Sequence, residues 1–87
     1  MGDDKLVEIG KVTHYFSKIS VAVVKLTDSL SVGDKILIKG ATTDIEQSVA
    51  SMQIEHENVN AAKSGQSVGL KVEGRARPND VVYKAIE

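Results

Sequence analysis

Residues 31–40 constrain the fold more than any other stretch, because they form the pattern of a tight turn followed by a short strand. Gly33 and Asp34 suit the turn, since glycine tolerates positive φ and aspartate hydrogen-bonds to nearby backbone groups. Ile36 and Ile38 then fall on one face of an extended chain, with lysines on the other. A second glycine, Gly40, ends the strand. The stretch predicts a small β-barrel.

The remaining predicted strands lie at short spacing with turn signals between them. They are residues 6–16 with Gly10 as a bulge or close backbone approach, then 19–27, 41–56, 67–74 and 81–86, while 28–33, 57–65 and 75–80 are loops or turns. Six short strands predict a barrel or a sandwich, and closure of a barrel would remove exposed strand edges. In the second strand, residues 21–24 are apolar on both faces, which predicts that the N-terminal tail or a partner covers one of them.

Segment 41–56 leaves two alternatives open. Ile45, Val49 and Met52 stand at helical spacing, and Thr43 with Glu46 could form a capping box. The neighbouring segments are all short strands, however, and a barrel requires a long, bulged strand here. We therefore predict a strand, although the residue pattern alone slightly favours a helix.

Length and composition bound the class of protein. A length of 87 residues predicts a single β-barrel domain, at residues 6–87. The polar residues 1–5 before it are predicted to be a flexible tail. The absence of cysteine excludes disulfides and thiolate sites. No apolar run approaches the ~20 residues of a membrane span, and the N-terminus does not resemble a signal peptide. We expect a cytoplasmic monomer with no membrane partner.

Charge is segregated along a chain whose formal net charge is −1. Residues 9–27 carry lysines but no carboxylate, whereas residues 44–57 carry carboxylates but no lysine or arginine. The near-neutral total argues against indiscriminate nucleic-acid binding. The segregation fits either solvated strand faces or a molecule whose basic and acidic sides orient it on a partner.

Arg75 and Arg77, just before the single proline Pro78, suggest a phosphate-binding patch, because their planar guanidinium groups match phosphate oxygens. Nearby lysines could extend the patch. Tyr15 and Phe16 adjoin in the basic first hairpin, and the one that faces outward could stack on a base. The alternatives are solubilising charge and an aromatic ring that covers the end of the barrel. The predicted RNA- or partner-binding residues are Lys11, Lys18, Lys25, Lys71, Arg75, Arg77 and Tyr15.

Catalytic and metal sites are not predicted. His14 and His56 are the only histidines. On a strand, Glu55 and Glu57 would point away from His56, so the three side chains would not converge on a metal ion. The serines and threonines lie in no nucleophile motif. We expect neither a cofactor nor enzymatic activity.

The stretch 31–40 also resembles the "V-G-D-x-hydrophobic-x-hydrophobic-x-G" stretch in domain 2 of translational GTPases such as elongation factor Tu. Segments 10–12, 48–53, 62–70 and 79–82 resemble further motifs of that domain, with Asn79 where glycine is usual. The resemblance implies a closed six-stranded Greek-key barrel and a strand at 41–56. It implies no GTP binding, since no phosphate-binding loop is present. Gln53 replaces a glutamate that helps to hold the tRNA end in that family. Similar barrels lie at the C-terminus of collagenase-like peptidases. This chain resembles such a barrel, in an appended or stand-alone form.

The resulting functional prediction is a non-catalytic, translation-factor-like β-barrel module that binds tRNA, rRNA or a ribonucleoprotein. Its expected partners are RNA or a translation-related protein. The alternative is a module for protein–protein interaction or assembly without direct contact to RNA.

Overall fold

The computed structural model describes residues 5–86, which form ten β-strands and no helix. The all-β class is therefore confirmed. The strands are β1 (Lys5–Phe16), β2 (Val21–Leu26), β3 (Leu30–Ser31), β4 (Lys35–Lys39), β5 (Asp44–Ser48), β6 (Met52–Ile54), β7 (Glu57–Val59), β8 (Ala61–Ala62), β9 (Ser67–Lys71) and β10 (Val81–Ile86).

The strands form an eight-stranded sheet, in the order β5-β4-β10-β1-β2-β9-β6-β7, and a two-stranded sheet, β3-β8. Every pairing is antiparallel. The long strand β1 lies at the centre and pairs with β10 on one side and β2 on the other. Its register shifts between Glu8 and Gly10, which confirms the predicted bulge. A Cβ at Gly10 would lie 2.5 Å from the carbonyl oxygen of Lys25, so the close backbone approach is also present.

The core consists of aliphatic side chains that point to the inner face of the curved sheet. Ala22 and Val24 of β2, Ile36 and Ile38 of β4, and Val82 of β10 are fully buried. Their alternation with exposed or half-buried neighbours is the two-residue period of a strand. The sequence predicted this pattern for Ile36 and Ile38, whereas in the predicted strand 19–27 residues 21–24 are apolar on both faces. β-branched side chains suit this pleated, one-sided packing.

A closed six-stranded barrel is not confirmed. The hydrogen-bonded order ends at β5 and β7, which do not pair with each other. Between β5 and β6, the N–H of Val49 donates to the carbonyl of Asp34 at 2.8 Å, and the N–H of Gly33 donates to the carbonyl of Val49 at 2.9 Å. The chain thus leaves the ladder to bond to the turn before β4. As a result, β5 pairs only with β4, and β6 pairs with β9 and β7.

In segment 41–56 the choice of extended chain over helix is confirmed, but the single long strand is not, because β5 and β6 are separate strands joined by the irregular residues 49–51. The helical spacing has a simple origin. Thr43, Ile45, Gln47 and Val49 are all buried, which is a strict two-residue alternation. Two of these inward residues are polar, so the alternation is hidden in the sequence. The irregular residues 49–51 then shift the period before the buried Met52.

Three short strands were predicted to be loops. β3 lies inside the predicted loop 28–33, and β7 and β8 lie inside the predicted polar segment 57–65. A two-residue turn joins β6 to β7, with Glu55 at φ 52° and His56 at φ 67°. Two successive residues with positive φ are the conformation of a type I′ hairpin turn. Glu55 and His56 therefore belong to a turn and not to the long strand that the sequence predicted.

The predicted tail falls mainly on residues 1–4, which lie outside the described residues, as does Glu87. Lys5, placed in the tail by the sequence, belongs to β1 and pairs with Ile86. Within residues 5–86 there is no helix long and apolar enough to cross a membrane.

Candidate functional site

Two of the predicted lysines lie opposite each other on the outer face of the sheet. Lys11 of β1 and Lys25 of β2 are direct cross-strand partners, and both are exposed. Among the described residues, neither forms an ion pair with a carboxylate. Like charges in directly opposed positions repel each other, so this pair attracts anionic groups from outside the domain.

Lys18 and Lys71 lie at the turn that joins β1 to β2. Lys18 is exposed in that turn. Lys71 extends from β9, and its Nζ donates a hydrogen bond to the carbonyl of Ile19 at 3.0 Å. The Val72 N–H also donates to the carbonyl of Ser20 at 2.9 Å. Lys71 therefore helps to fix the turn while it contributes positive charge next to Lys18.

The two predicted arginines are held in a different place. Ala76, between them, is buried, whereas Arg75 and Arg77 are exposed. The Arg77 N–H donates to Oδ2 of Asp80 at 2.8 Å. Asp80 in turn bonds through its carbonyl to Val12 of β1, on the side where β10 pairs. The loop with the two arginines thus lies next to β1 on the side where β10 pairs, while Lys25 and Lys71 lie on the side where β2 pairs.

Tyr15 is not the exposed ring that base stacking requires. It is half-buried against the core, and its hydroxyl donates to the carbonyl of Gly74 at 3.3 Å. This is the alternative in which the aromatic side chain covers one end of the structure. The neighbouring Phe16 is exposed instead, with its ring centroid 4.4 Å from that of His14.

The exposed Phe16 belongs to an apolar groove that the site prediction missed. We call its apolar residues Phe16, Ile19, Val21, Val23 and Gly69 the outer strip. The groove has a volume of about 230 Å³ and is bordered at its far end by the turn of Glu55 and His56. Gly69 forms part of the floor, where a Cβ would lie 3.3 Å from Cγ1 of Val21. The sequence signal for this groove was segment 21–24, which is apolar on both faces.

The titratable side chains of the described residues form a surface ion pair but no cluster of metal-ligand type. No three His, Cys, Asp or Glu side chains gather into a metal-binding group within residues 5–86. The acidic strand β5 has a basic neighbour, since Nζ of Lys35 lies 2.7 Å from Oε2 of Glu46. Through that hydrogen bond and its charge, Lys35 lowers the pKa of the Glu46 carboxyl. Both side chains are well exposed, as expected for a surface ion pair.

Comparisons with known proteins identify relatives of this domain. No family model matches the sequence. An uncharacterised protease of Methanocaldococcus jannaschii is 46% identical over 78 residues, which are 88% of this chain and 19% of the relative. A collagenase of Porphyromonas gingivalis is 36% identical over 78 residues, which are 87% of this chain and 22% of that protein. The chain thus spans about a fifth of the length of these relatives.

The chain is similar to one part of collagenase-like proteases. A crystal structure of the C-terminal domain of a Geobacillus thermoleovorans protein named as a U32 peptidase matches with a TM-score of 0.82 and 23% identity. The match covers 87% of this chain and 89% of that domain. A selenomethionine variant of the same domain matches with a TM-score of 0.83. These structural matches establish a shared fold.

The prediction of a translation-factor-like, RNA-binding module is wrong. The relatives are named as a protease and collagenases, and the solved domain is named as part of a U32 peptidase. The elongation factor motifs in residues 31–40 and elsewhere led to the error, because a turn, a short strand and a glycine stop are features of the fold rather than of one function. The part of the resemblance that the relatives support is the likeness to a domain of collagenase-like peptidases.

Proposed function

We propose that this chain is a non-catalytic accessory domain of the collagenase-like peptidase type, which acts together with a catalytic part that it does not contain. The observation that carries the proposal is the extent of the match: nearly all of this chain corresponds to about a fifth of each relative. The remaining four fifths of those relatives are long enough to contain a separate catalytic domain.

The side chains of the described residues agree with a non-catalytic role. His14 packs against the ring of Phe16, and His56 lies in a surface turn. In the hairpin of β1 and β2, the Thr13 hydroxyl donates a hydrogen bond to the carbonyl of Val23 at 3.3 Å. A nucleophile activated by a neighbouring base, as in serine or cysteine peptidases, would require a different arrangement.

We further propose that the domain acts as a barrel whose opening is bridged by β5 and β6 together with the irregular residues 49–51 between them. β5 pairs with β4 and β6 pairs with β9, so the same chain segment contacts both sides of the opening. Gln47 adds side-chain hydrogen bonds across the gap to Lys71 and Glu73. A rigid barrel of this kind would hold an accessory surface in a fixed shape beside its catalytic partner.

The test uses the M. jannaschii relative with and without the 78 residues that match this chain. Gelatin hydrolysis is measured for the full-length relative, for the deletion, and for a chimera in which this chain replaces the deleted segment. We expect the isolated chain to have no activity, the deletion to lose activity at least tenfold, and the chimera to recover most of it. A chimera with an unrelated β-domain of equal size is the control. Hydrolysis by the isolated chain, or an unimpaired deletion, would refute the proposal.

A further inference from the structure

We propose that the outer face of β1, β2, β9 and β6 is a docking surface for one amphipathic α-helix of a partner protein, whose apolar stripe is bordered by carboxylates. This inference is independent of the proposed accessory role, because it rests only on the shape and charge of the face. It assigns a function to the outer strip and to the four predicted lysines.

The outer strip places several apolar side chains on a sheet face that is open to solvent. Phe16 is 46% exposed and Ile19 is 56% exposed, and both lie at the edge of the groove. Val21 and Val23 are half-buried on the outer face, although their neighbours Ala22 and Val24 already supply the core. A contiguous apolar groove rimmed by polar residues marks an interaction site, whereas single exposed apolar residues do not.

The cross-strand register arranges this face in three rows that cross the strands. One row joins Phe16, Val21 and Lys71, and the middle row joins His14, Val23, Gly69 and Gln53. The third row contains Lys11, Lys25 and Ser67. Lysines therefore border the middle row on both sides, with Lys18 in the adjoining turn.

The spacing of the bordering rows matches the width of a helix. Val21 and Lys25 are four residues apart on β2, so the outer rows are ~13 Å apart at the usual rise of a strand. An α-helix with its side chains is about 10–12 Å wide. A helix along the middle row would place its apolar stripe on Val23 and Gly69, and its flanking side chains would reach the lysines.

Charge then selects the type of helix. Lys11, Lys18 and Lys25 form no ion pair with a described carboxylate, and Lys71 bonds only to a backbone carbonyl. Glu55 is the one carboxylate that lines the groove. Glutamate or aspartate on both sides of the apolar stripe would relieve the repulsion between Lys11 and Lys25, whereas lysine or arginine would increase it.

The experiment titrates the ¹⁵N-labelled chain with two stapled 18-residue helices. Both carry the same leucine stripe, which is bordered by glutamate in one peptide and by lysine in the other. At about 150 mM NaCl we expect amide shifts centred on Val21, Val23, Gly69 and Gln53. The glutamate peptide should bind at least tenfold more tightly than the lysine peptide, and the double substitution K18E/K25E should reverse that preference.

Matched variants separate the outer strip from general stickiness. Ile19→Asp should weaken binding at least tenfold, whereas Val32→Asp should not, since Val32 is also exposed (40%) but lies outside the groove. Dispersed amide spectra confirm that each variant is folded. The proposal fails if the glutamate peptide causes no shifts at 1 mM, if both peptides bind equally, or if Val32→Asp weakens binding as much as Ile19→Asp. Sedimentation of the chain alone should show a monomer; a dimer that Ile19→Asp abolishes would make a second copy the occupant and overturn the assignment of a partner helix.

Discussion

The side-chain amide of Gln47 bonds to the backbone of Lys71 across a gap that no strand ladder spans. Its Nε2 donates to the Lys71 carbonyl at 2.9 Å, while its Oε1 accepts the N–H of Glu73 at 2.8 Å. Gln47 is itself 8% exposed. One glutamine thus supplies two hydrogen bonds between β5 and the backbone at the end of β9, one to Lys71 in the strand and one to Glu73 just after it.

Replacing Gln47 with alanine should destabilise the domain. Both hydrogen bonds disappear and two partly buried backbone groups lose their partners, at a cost of ~1–3 kcal/mol in the free energy of unfolding. Urea denaturation measures this change. The matched control is Gln53→Ala, because the Gln53 amide is also bonded, to Oδ1 of Asn58 at 3.1 Å, but is exposed. Equal losses for the two variants would show that the Gln47 bonds have no special role.

Gly40 should not tolerate a side chain. A Cβ at this position would overlap the carboxylate of Asp80, which is buried and accepts the N–H of Arg77. We expect Gly40→Ala to cost ~1–3 kcal/mol, the range for overpacking. Thermal unfolding of the single and double variants forms the test. Combined with Asp80→Ala, which removes the clashing atoms, Gly40→Ala should cost ~1 kcal/mol less than alone. Strictly additive losses would contradict the contact.

The strand pattern was predictable where core residues are apolar and turns contain glycine. Residues 31–40 satisfy both conditions, and β4 lies where the sequence placed it. Gln47 illustrates the opposite case, because a buried polar side chain hides the alternation of β5. The pairing of Leu30–Ser31 with Ala61–Ala62 was also unpredictable, since a two-residue ladder depends on tertiary contacts and carries no periodic signal.

The candidate site was predicted only in part. Lysine positions are visible in a sequence, but their rows depend on the registers of four strands. A bulge between Val12 and His14 places His14, rather than Thr13, opposite Val23. Which of Tyr15 and Phe16 faces outward is set by this shift and by the bond from Tyr15 to Gly74. The sequence therefore suggested a basic hairpin but listed Tyr15, whereas the exposed ring is that of Phe16.

Substitutions in the β6–β7 turn should raise the stability of the domain. Glu55 and His56 both have positive φ, a conformation in which non-glycine residues are strained and which Asn-Gly adopts readily. The double substitution of Glu55→Asn and His56→Gly should raise stability by ~1 kcal/mol, observed as a higher urea midpoint. The control is Glu57→Asn, which lies next to the turn at an ordinary strand position. An unchanged or lower midpoint for the double variant would show that the turn is not strained.

The ion pair between Lys35 and Glu46 should make a small part of the stability depend on pH. Lys35 lowers the pKa of Glu46 in the folded chain, so the folded state favours the ionised carboxylate more than the unfolded state does. The stabilisation is therefore present at neutral pH and is lost as the pH falls through the folded pKa.

Glu46→Gln should accordingly lower the urea midpoint slightly at pH 7, and this difference should shrink as the pH falls through the folded pKa of Glu46, where the carboxyl of the unmodified chain becomes protonated. High salt at pH 7 should also reduce the difference, since both side chains are exposed. Asp44→Asn in the same strand is the control, because Asp44 forms no ion pair among the described residues. If Glu46→Gln lowered the midpoint by the same amount at every pH from 7 down through the acid titration of the carboxylates, the effect would come from packing and not from the charge of Glu46.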